Sequence, residues 1–273
     1  RRDHFRQACG LPGLNGPYPP FYHSVFSAFY ALFGRSVDAA QWANLPAIAL
    51  LMAATYGLGR TFLKPLPAAA AAITVNFYPI VVWLSRETLI DYWLTSMVAL
   101  AMWLLVRTNG FSDRRRSIAF GIACGLGMLT KWTFVLFVAV PALWFARKNL
   151  KNAVLSASIA AALAAYWYIT AARAMIQLLT VNSAGAAYEG EASRLSLEAV
   201  IFYIRAMEGY QLFFVLFAAF LVGAILLTRN FDRAWIPVVL WLVGGWLGLM
   251  LFQNKDPRYS APLLPAVALI TAQ

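Results

Sequence analysis

The chain alternates between long apolar runs and short polar or charged segments, which is the pattern of a protein that crosses a membrane several times. The apolar runs that we interpret as spans lie at 38–58, 65–84, 92–106, 117–146, 152–172, 199–228, 234–252 and 260–273. A further aromatic run at 21–34 has only 14 residues. Because a hydrocarbon core is about 30 Å thick, this run is too short to span it and is predicted to be an interfacial helix.

The run at 117–146 could be one tilted helix or a hairpin, since Lys131 lies in its middle. Basic clusters at 114–116 and 147–151 flank it. A single span would put these clusters on opposite sides of the membrane, against the tendency of Lys and Arg to stay in the cytoplasm. The hairpin is therefore predicted, with Lys131 recessed below the outer surface, and the number of spans becomes about nine.

Basic residues concentrate in alternate loops. The segments 60–64, 107–116, 147–151 and 229–233 hold 11 of the 22 Lys and Arg residues in 25 positions. This side is predicted to be the cytoplasm. The outer side then holds the segment 1–37 and a loop at 173–198, and 38–273 forms the transmembrane bundle of a single domain. The sequence opens without Met and stops inside an apolar run, so we expect a fragment truncated at both ends.

Composition supports this class. The chain is 62% hydrophobic and 12% charged, with mean hydropathy +0.66, whereas soluble domains are about 45–50% apolar and about 25% charged. The predicted fold is an all-α polytopic membrane protein. The net charge of +11 lies in short loops, and no nucleic-acid-binding motif is visible. Two cysteines give neither a disulfide framework nor a metal pattern. The sequence therefore requires no cofactor, and it does not identify any divalent metal.

The most unusual segment is WLSRETLIDYWLT at 83–95, which puts Arg86, Glu87 and Asp91 between two apolar runs. Charges in such a place are compensated by water, a partner or a substrate. On a continuous helix Glu87 and Asp91 would share one face. The alternative is a polar loop in which Ser85 or Thr88 caps the next helix.

Other charged groups, and one tyrosine, fall on the same predicted outer side: Lys131, Lys255, Asp256, Arg258 and Tyr259. Arg and Lys suit an anionic phosphate, and a nearby carboxylate can accept a proton from an attacking hydroxyl. This favours group transfer from a phospholipid-linked donor. Each residue also has a simpler reading: Lys131 could extend to the interface, Lys255 and Arg258 could be loop charges, and Tyr259 could be an interfacial anchor.

Four segments resemble motifs of the GT-C membrane glycosyltransferases, in particular the dolichyl-phosphate-mannose protein mannosyltransferase and aminoarabinose transferase superfamily. They follow the family's order along almost the whole chain. The matching segments are YPPFY at 18–22, Ser85-Arg86 with Asp91-Tyr92, GLGMLTK at 125–131 and DPRYSAPLLP at 256–265.

The resemblance implies that a sugar is transferred, with inversion, from a polyprenyl-phosphate donor to a glycan, lipid or protein acceptor outside the cytoplasm. It implies that Lys131, Arg258 and Tyr259 hold the donor phosphate. The family's catalytic acid lies in a first outer loop, where this sequence has only Asp3, and Tyr18 stands where the family often has Lys or His.

The expected catalytic residues are therefore Asp91, Glu87 and Asp3. The expected substrate-binding residues are Arg86, Lys131, Lys255, Arg258, Tyr259, Tyr18 and His23, although a lone His near the start of an interfacial helix is more often a packed interfacial residue. The predicted location is a bacterial plasma membrane, with the site facing outward.

Two other functions compete with this one. A transporter or flippase of an anionic lipid-linked solute would carry charges near mid-membrane and paired broken helices. A non-catalytic membrane scaffold would need no one-sided cluster of charges.

Overall fold

The computed structural model describes residues 18–273, which form helices and connecting loops without a strand. The α-helices are α1 Pro20–Phe33, α2 Val37–Trp42, α3 Leu45–Gly59, α4 Pro65–Phe77, α5 Pro79–Arg86, α6 Ile90–Arg107, α7 Arg114–Thr130, α8 Phe134–Ala146, α9 Leu150–Tyr188, α10 Leu197–Ala206, α11 Phe213–Arg229, α12 Ile236–Met250 and α13 Leu264–Thr271. A π-helical segment, Met207–Leu212, joins α10 to α11, and 3₁₀ turns precede α12 (Arg233–Trp235) and α13 (Pro257–Leu263).

Helix boundaries follow local sequence signals. Proline stands in the first turn of α1, α4 and α5, where its missing N–H removes no helical hydrogen bond. Side chains of Ser36, Asp113, Asn149 and Ser196 accept hydrogen bonds from first-turn amides of α2, α7, α9 and α10. These caps satisfy amides that the helices themselves leave unpaired.

Helices occupy all nine predicted spans, and the short run at 21–34 is the separate helix α1. Within residues 18–273, five helical stretches are long and apolar enough to cross a membrane. A sixth is the pair α4 and α5, which is bent by 60°. The bend lies at Tyr78–Pro79, where the ring of Pro79 interrupts the helical hydrogen bonds. The chain is therefore a polytopic, all-α membrane protein.

The hairpin at 117–146 is confirmed by helix directions. The Ser156 hydroxyl donates to the Ser117 carbonyl at 2.7 Å, and the Tyr168 hydroxyl donates to the Met128 carbonyl at 2.9 Å. Later residues of α7 therefore contact later residues of α9, so these two helices run parallel. The intervening helix α8 must return in the opposite direction, and Lys131 lies at the turn in extended backbone (φ −154°, ψ 137°).

Close packing of α7 on α9 depends on glycine. A Cβ built on Gly121 would lie 2.6 Å from the Ser156 carbonyl oxygen, and one on Gly125 would lie 2.8 Å from the Leu163 side chain. Gly121 and Gly125 form a G-x-x-x-G pair, the spacing that lets membrane helices approach backbone to backbone.

The predicted loop at 173–198 is wrong over most of its length. Helix α9 continues for 39 residues to Tyr188, about 58 Å at 1.5 Å per residue, roughly twice the hydrocarbon thickness. The segment contains Arg173, Gln177, Asn182 and Ser183, but its Ala, Leu, Met and Gln residues favour helix. The helix ends where Gly190 adopts φ +75°.

The four basic segments gather at one end of the bundle, which we call the basic end. Arg116 donates to the Arg107 carbonyl at 3.0 Å, and Asn152 donates to the Phe111 carbonyl at 2.7 Å. These bonds bring 107–116 beside the start of α9. At the same end, Phe62 packs on Trp235 with ring centroids 4.2 Å apart. The opposite end, which we call the site end, collects Asp91, Lys131 and the segment 253–259.

Candidate active site

A cavity of about 280 Å³ lies at the site end of the bundle. Its walls come from the start of α1, the start of α6, the turn between α7 and α8, the projecting part of α9, and the segment after α12. The residues that line it are Tyr18, Tyr22, His23, Thr88, Leu89, Ile90, Asp91, Leu94, Lys131, Trp132, Thr133, Leu178, Leu179, Asn182, Ser183, Tyr203, Leu249, Phe252, Gln253, Asn254, Arg258 and Tyr259.

An ion pair stands in this cavity. The Lys131 Nζ atom lies 2.7 Å from Asp91 Oδ1, and both side chains are more than nine-tenths buried. Asp91 is in the first turn of α6, where the positive helix end favours a carboxylate. Lys131 follows the last turn of α7. Burying an unpaired charge costs free energy, so each member of this buried pair stabilises the other.

Tyr259 and Arg258 complete the cationic side of the cavity. Lys131 Nζ lies 4.7 Å from the centre of the Tyr259 ring, and the Arg258 guanidinium lies 5.6 Å from it, both within cation–π range. Burial raises the pKa of Tyr259 to about 12, so its phenol stays protonated at neutral pH and can donate a hydrogen bond to an anion.

Asp256 fixes the backbone and the side chain of Arg258 together. Its Oδ1 accepts from the Arg258 amide at 2.9 Å, capping the 3₁₀ turn, and its Oδ2 lies 2.8 Å from Arg258 Nε. Asp256 is thus paired with Arg258 and not with Lys255. This pairing orients the guanidinium, which is about a third exposed and is therefore accessible to a ligand.

Gln211 also stabilises the 3₁₀ turn Pro257–Leu263. The sequence analysis did not predict this role. Gln211 is fully buried in the π-helical segment. Its amide donates to the Pro257 carbonyl at 2.5 Å and to Ser260 Oγ at 2.7 Å. The signal that could have revealed it is a polar side chain inside an otherwise apolar span, which needs a partner.

Lys255 does not line the cavity, which corrects its prediction as a substrate-binding residue. Its ammonium donates to the carbonyls of Phe252 and Leu249, and its amide donates to the Glu191 carboxylate. Burial lowers the pKa of Lys255, and the Glu191 carboxylate opposes this shift. Lys255 thus ties the loop to the end of α9. Glu191, from the segment predicted to be an outer loop, is part of that contact.

Arg86 and Glu87 also lie away from the cavity. Both are exposed at the end of α5. Glu87 caps α5 in extended backbone (ψ 156°), and α6 begins only at Ile90. The helix break between them means that Glu87 and Asp91 do not share a helix face. The cap of α6 is Leu89, which makes no side-chain bond, so neither Ser85 nor Thr88 serves as the predicted cap.

Tyr18 and His23 do line the cavity beside Tyr22. Tyr18 is 40% exposed and His23 is half-buried. Burial lowers the pKa of His23, so its ring is neutral at neutral pH and is not an additional cation. Asp3 lies outside the described residues.

The projecting part of α9 supplies a wall that the sequence reading missed. Leu178, Leu179, Asn182 and Ser183 face the cavity from helix turns that had been predicted as loop. Across residues 18–273 no group of three or more His, Cys, Asp and Glu side chains is placed to hold a metal ion.

Comparison with known proteins gives three findings. The sequence profile of the family described as dolichyl-phosphate-mannose-protein mannosyltransferase matches residues 17–170. The fold is similar to that of ArnT from Cupriavidus metallidurans in the apo state, with a TM-score of 0.72, 15% identity and coverage of 93% of this chain and 48% of ArnT. No curated protein sequence matches the chain.

The same ArnT bound to undecaprenyl phosphate gives a TM-score of 0.73 at 15% identity, with 93% of this chain and 49% of ArnT covered. The chain therefore spans about half the length of the solved structures that it matches. At this identity the likeness shows a common fold, that of the GT-C membrane proteins.

Proposed function

Since the chain belongs to the dolichyl-phosphate-mannose-protein mannosyltransferase family, we propose that it is part of an integral-membrane glycosyltransferase that uses a polyprenyl-phosphate sugar. The observation that carries the proposal is the grouping of Lys131, Asp91, Arg258 and Tyr259 around one cavity. Three groups that can bind a phosphate meet there with one carboxylate.

Lys131, Arg258 and Tyr259 hold the donor phosphate in this proposal. Lys offers a point charge, Arg offers a planar fork of donors, and a protonated phenol offers one more hydrogen bond. These donors stabilise the negative charge that grows on the lipid phosphate as the bond from the anomeric carbon to the phosphate oxygen breaks.

The acceptor oxygen attacks the anomeric carbon from the opposite face, so configuration inverts. Its proton passes to a carboxylate. Asp91 is the described acid nearest to this chemistry; it either takes that proton or orients Lys131, and Asp3 remains the candidate base outside the described residues. The acceptor itself is a glycan, lipid or protein.

The undecaprenyl phosphate bound by the similar ArnT structure supports a polyprenyl carrier for this chain. The basic end of the bundle supports a cytoplasmic location for 60–64, 107–116, 147–151 and 229–233. The site end then faces outward from a bacterial plasma membrane, and residues 1–37 and 38–273 act as one transmembrane transferase domain.

The bend between α4 and α5 is the one observation that favours a transporter or flippase, since transporters use broken helices at their binding sites. The charged residues Asp91, Lys131 and Arg258 lie at the end of the bundle instead of mid-membrane. This position favours a chemical reaction at that end over transport.

Two substitutions test the transferase. Arg258→Ala is expected to abolish sugar transfer and to weaken binding of free polyprenyl phosphate, because the clamp is lost. Asp91→Asn is expected to abolish transfer while binding persists. Radiolabelled transfer and lipid-phosphate binding are measured on the same full-length preparations, with exposed Arg229→Ala at the basic end as the matched control.

Normal transfer by Arg258→Ala would refute the phosphate clamp. Weak lipid binding by Asp91→Asn would make Asp91 an organiser of the cations, with the base elsewhere. Movement of an intact lipid-linked solute across vesicles without sugar transfer would favour the flippase.

A further inference from the structure

A second space, which we call the apolar groove, lies between α7, α8 and α9 and has a volume of about 620 Å³. Helix α7 forms its floor with Phe120, Cys124 and Met128. Its walls are α8, from Phe134 to Ala146, and α9, from Leu150 to Tyr168. Among the described residues, none lines both this groove and the candidate active site. The volume falls within the range of about 300–1,000 Å³ that is typical of ligand sites.

The groove is open because α8 packs on α12 and leaves its other face uncovered. A Cβ built on Gly244 of α12 would lie 2.8 Å from Val140 Cβ of α8, so these two helices are in close contact. On the groove side of α8, Val135 is 45% exposed and Leu143 is 69% exposed. Leu150, on the facing wall, is also 69% exposed. The groove therefore opens to the outside of the bundle, where lipid surrounds a membrane protein.

The inside of the groove is suited to hydrocarbon. The hydroxyls of Ser156 and Tyr168, which line it, donate to the Ser117 and Met128 carbonyls at 2.7 and 2.9 Å. These donors are thus already used by the backbone. Because a polar ligand group buried without a partner costs free energy, the walls favour an apolar chain.

Cations stand where the groove meets the basic end of the bundle. Arg147 directly follows Ala146, and Lys151 directly follows Leu150, which are lining residues of the two walls at that end. The Arg147 guanidinium lies 3.5 Å from the centre of the Trp144 ring. Tryptophan is enriched at the level of lipid head groups. The apolar walls therefore end at a cationic mouth.

The charge at this mouth is not balanced by the described part of the chain. The segments 107–116 and 147–151 hold seven cations and one acid, Asp113, which pairs with Arg116. Among residues 18–273 no carboxylate forms an ion pair with Arg147 or Lys151. The first turn of α9 contains no acid, although the positive end of a helix favours one. An anion at this position would be stabilised by both cations and by the helix end.

We propose that the apolar groove binds an anionic glycerophospholipid, with an acyl chain along the groove and the phosphate between Arg147 and Lys151. Basic pockets between membrane helices bind the head groups of anionic lipids, and arginine offers a planar fork of donors to a phosphate. A second copy of the chain fits less well, because two copies in the same orientation would bring the same cations together. The site is distinct from that of the polyprenyl carrier, whose phosphate is proposed to bind at the opposite end of the bundle.

Lipid selectivity is the first test. The purified full-length protein is delipidated in detergent and titrated with phosphatidylglycerol or phosphatidylcholine that carry the same acyl chains, and native mass spectrometry measures the affinity for the first bound lipid. Phosphatidylglycerol is expected to bind about tenfold more tightly than phosphatidylcholine. Equal affinity for the two lipids would overturn the proposal, because the groove would then be a general lipid surface.

Two neighbouring alanines of α9 separate the groove from the rest of the lipid-facing surface. Ala161 lines the groove and Ala162 does not, and both are exposed. Ala161→Trp is expected to weaken phosphatidylglycerol binding about tenfold or more, since the added ring fills the groove, and Ala162→Trp should leave it unchanged. Wild-type affinity in the folded Ala161→Trp protein would overturn the proposal. Conversion of a dimer to a monomer by Ala161→Trp, with lipid binding intact, would overturn it in favour of a second copy of the chain.

The cations are tested separately, which keeps the proposal falsifiable if Ala161→Trp does not fold. Arg147→Gln with Lys151→Gln is expected to remove the preference for phosphatidylglycerol while phosphatidylcholine binding changes little. The matched control is Arg229→Gln with Arg233→Gln, which removes two exposed cations at the same end but outside the groove. An equal loss of preference in both double variants would overturn the site, because net charge alone would then explain the selectivity.

Discussion

Lys131 has a structural role, as the partner of Asp91, and a proposed role in binding phosphate. Its ammonium contacts Asp91 at 2.7 Å and lies 4.7 Å from the Tyr259 ring centre, and the residue is only 7% exposed. In the absence of ligand Asp91 is the counter-ion. In the proposed function, a bound phosphate would share Lys131 with Asp91.

Removing one partner separates these two roles. Lys131→Met should destabilise the protein by about 3–5 kcal/mol, since Asp91 is left buried and unpaired. Lys131→Met with Asp91→Leu should recover most of that stability. Neither variant should bind polyprenyl phosphate as the wild type does, because a charge-assisted contact of about 1.5–3 kcal/mol is gone.

Denaturant unfolding and lipid-phosphate binding measure the two effects, with exposed Lys148→Met at the basic end as control. Wild-type affinity in the folded double variant would make the pair purely structural.

At this scale the sequence was informative where a charge lies close to the end of a span. Asp91, Lys131, Arg258 and Tyr259 were found in this way, and the structure places all four around one cavity. Arg86 and Glu87 were misplaced because three loop residues turn the chain between α5 and α6. Gln211 was missed because its partners lie 46 and 49 residues away in sequence.

At the scale of elements, hydrophobic pattern located the helices and basic clusters gave the direction of α8. The hydrophobic pattern could not show that α9 continues to Tyr188. Helix propensity and solvent exposure both fit 173–188, but a polar segment between two spans reads equally well as a loop. The same limit hides the bend at Pro79 and the π-helical segment Met207–Leu212.

The contact between α7 and α9 is testable at its glycines. Gly121→Leu should destabilise the protein by about 1–3 kcal/mol or more, because its side chain would collide with the Ser156 backbone. Gly185→Leu, also on a helix but with nothing within 4 Å of its Cβ, should be neutral or mildly stabilising. Thermal unfolding in detergent compares the two; equal stability of both variants would show that α7 and α9 do not pack as described.

In the whole molecule, the basic segments and the candidate site lie at opposite ends of the bundle. Parallel pairs such as α7 with α9 carry the basic segments to one end and Asp91, Lys131 and Arg258 to the other. This separation follows from sequence, because each crossing reverses the side. What the sequence does not give is lateral position, meaning which span ends meet around the cavity, since that depends on packing between distant helices.

Orientation in the membrane is the last prediction, and it uses both ends of the bundle. Ser112 lies among the basic residues between α6 and α7, Ser193 lies between α9 and α10 at the site end, and both are exposed. Because Lys and Arg in short loops stay in the cytoplasm, Ser193→Cys should react with an impermeant maleimide on intact cells and Ser112→Cys should not. Both are placed in a background lacking Cys9 and Cys124, and both should react after permeabilisation, which controls for accessibility. Labelling of Ser112→Cys alone in intact cells would invert the protein and put the cavity on the cytoplasmic side, where an outward-facing donor could not reach it.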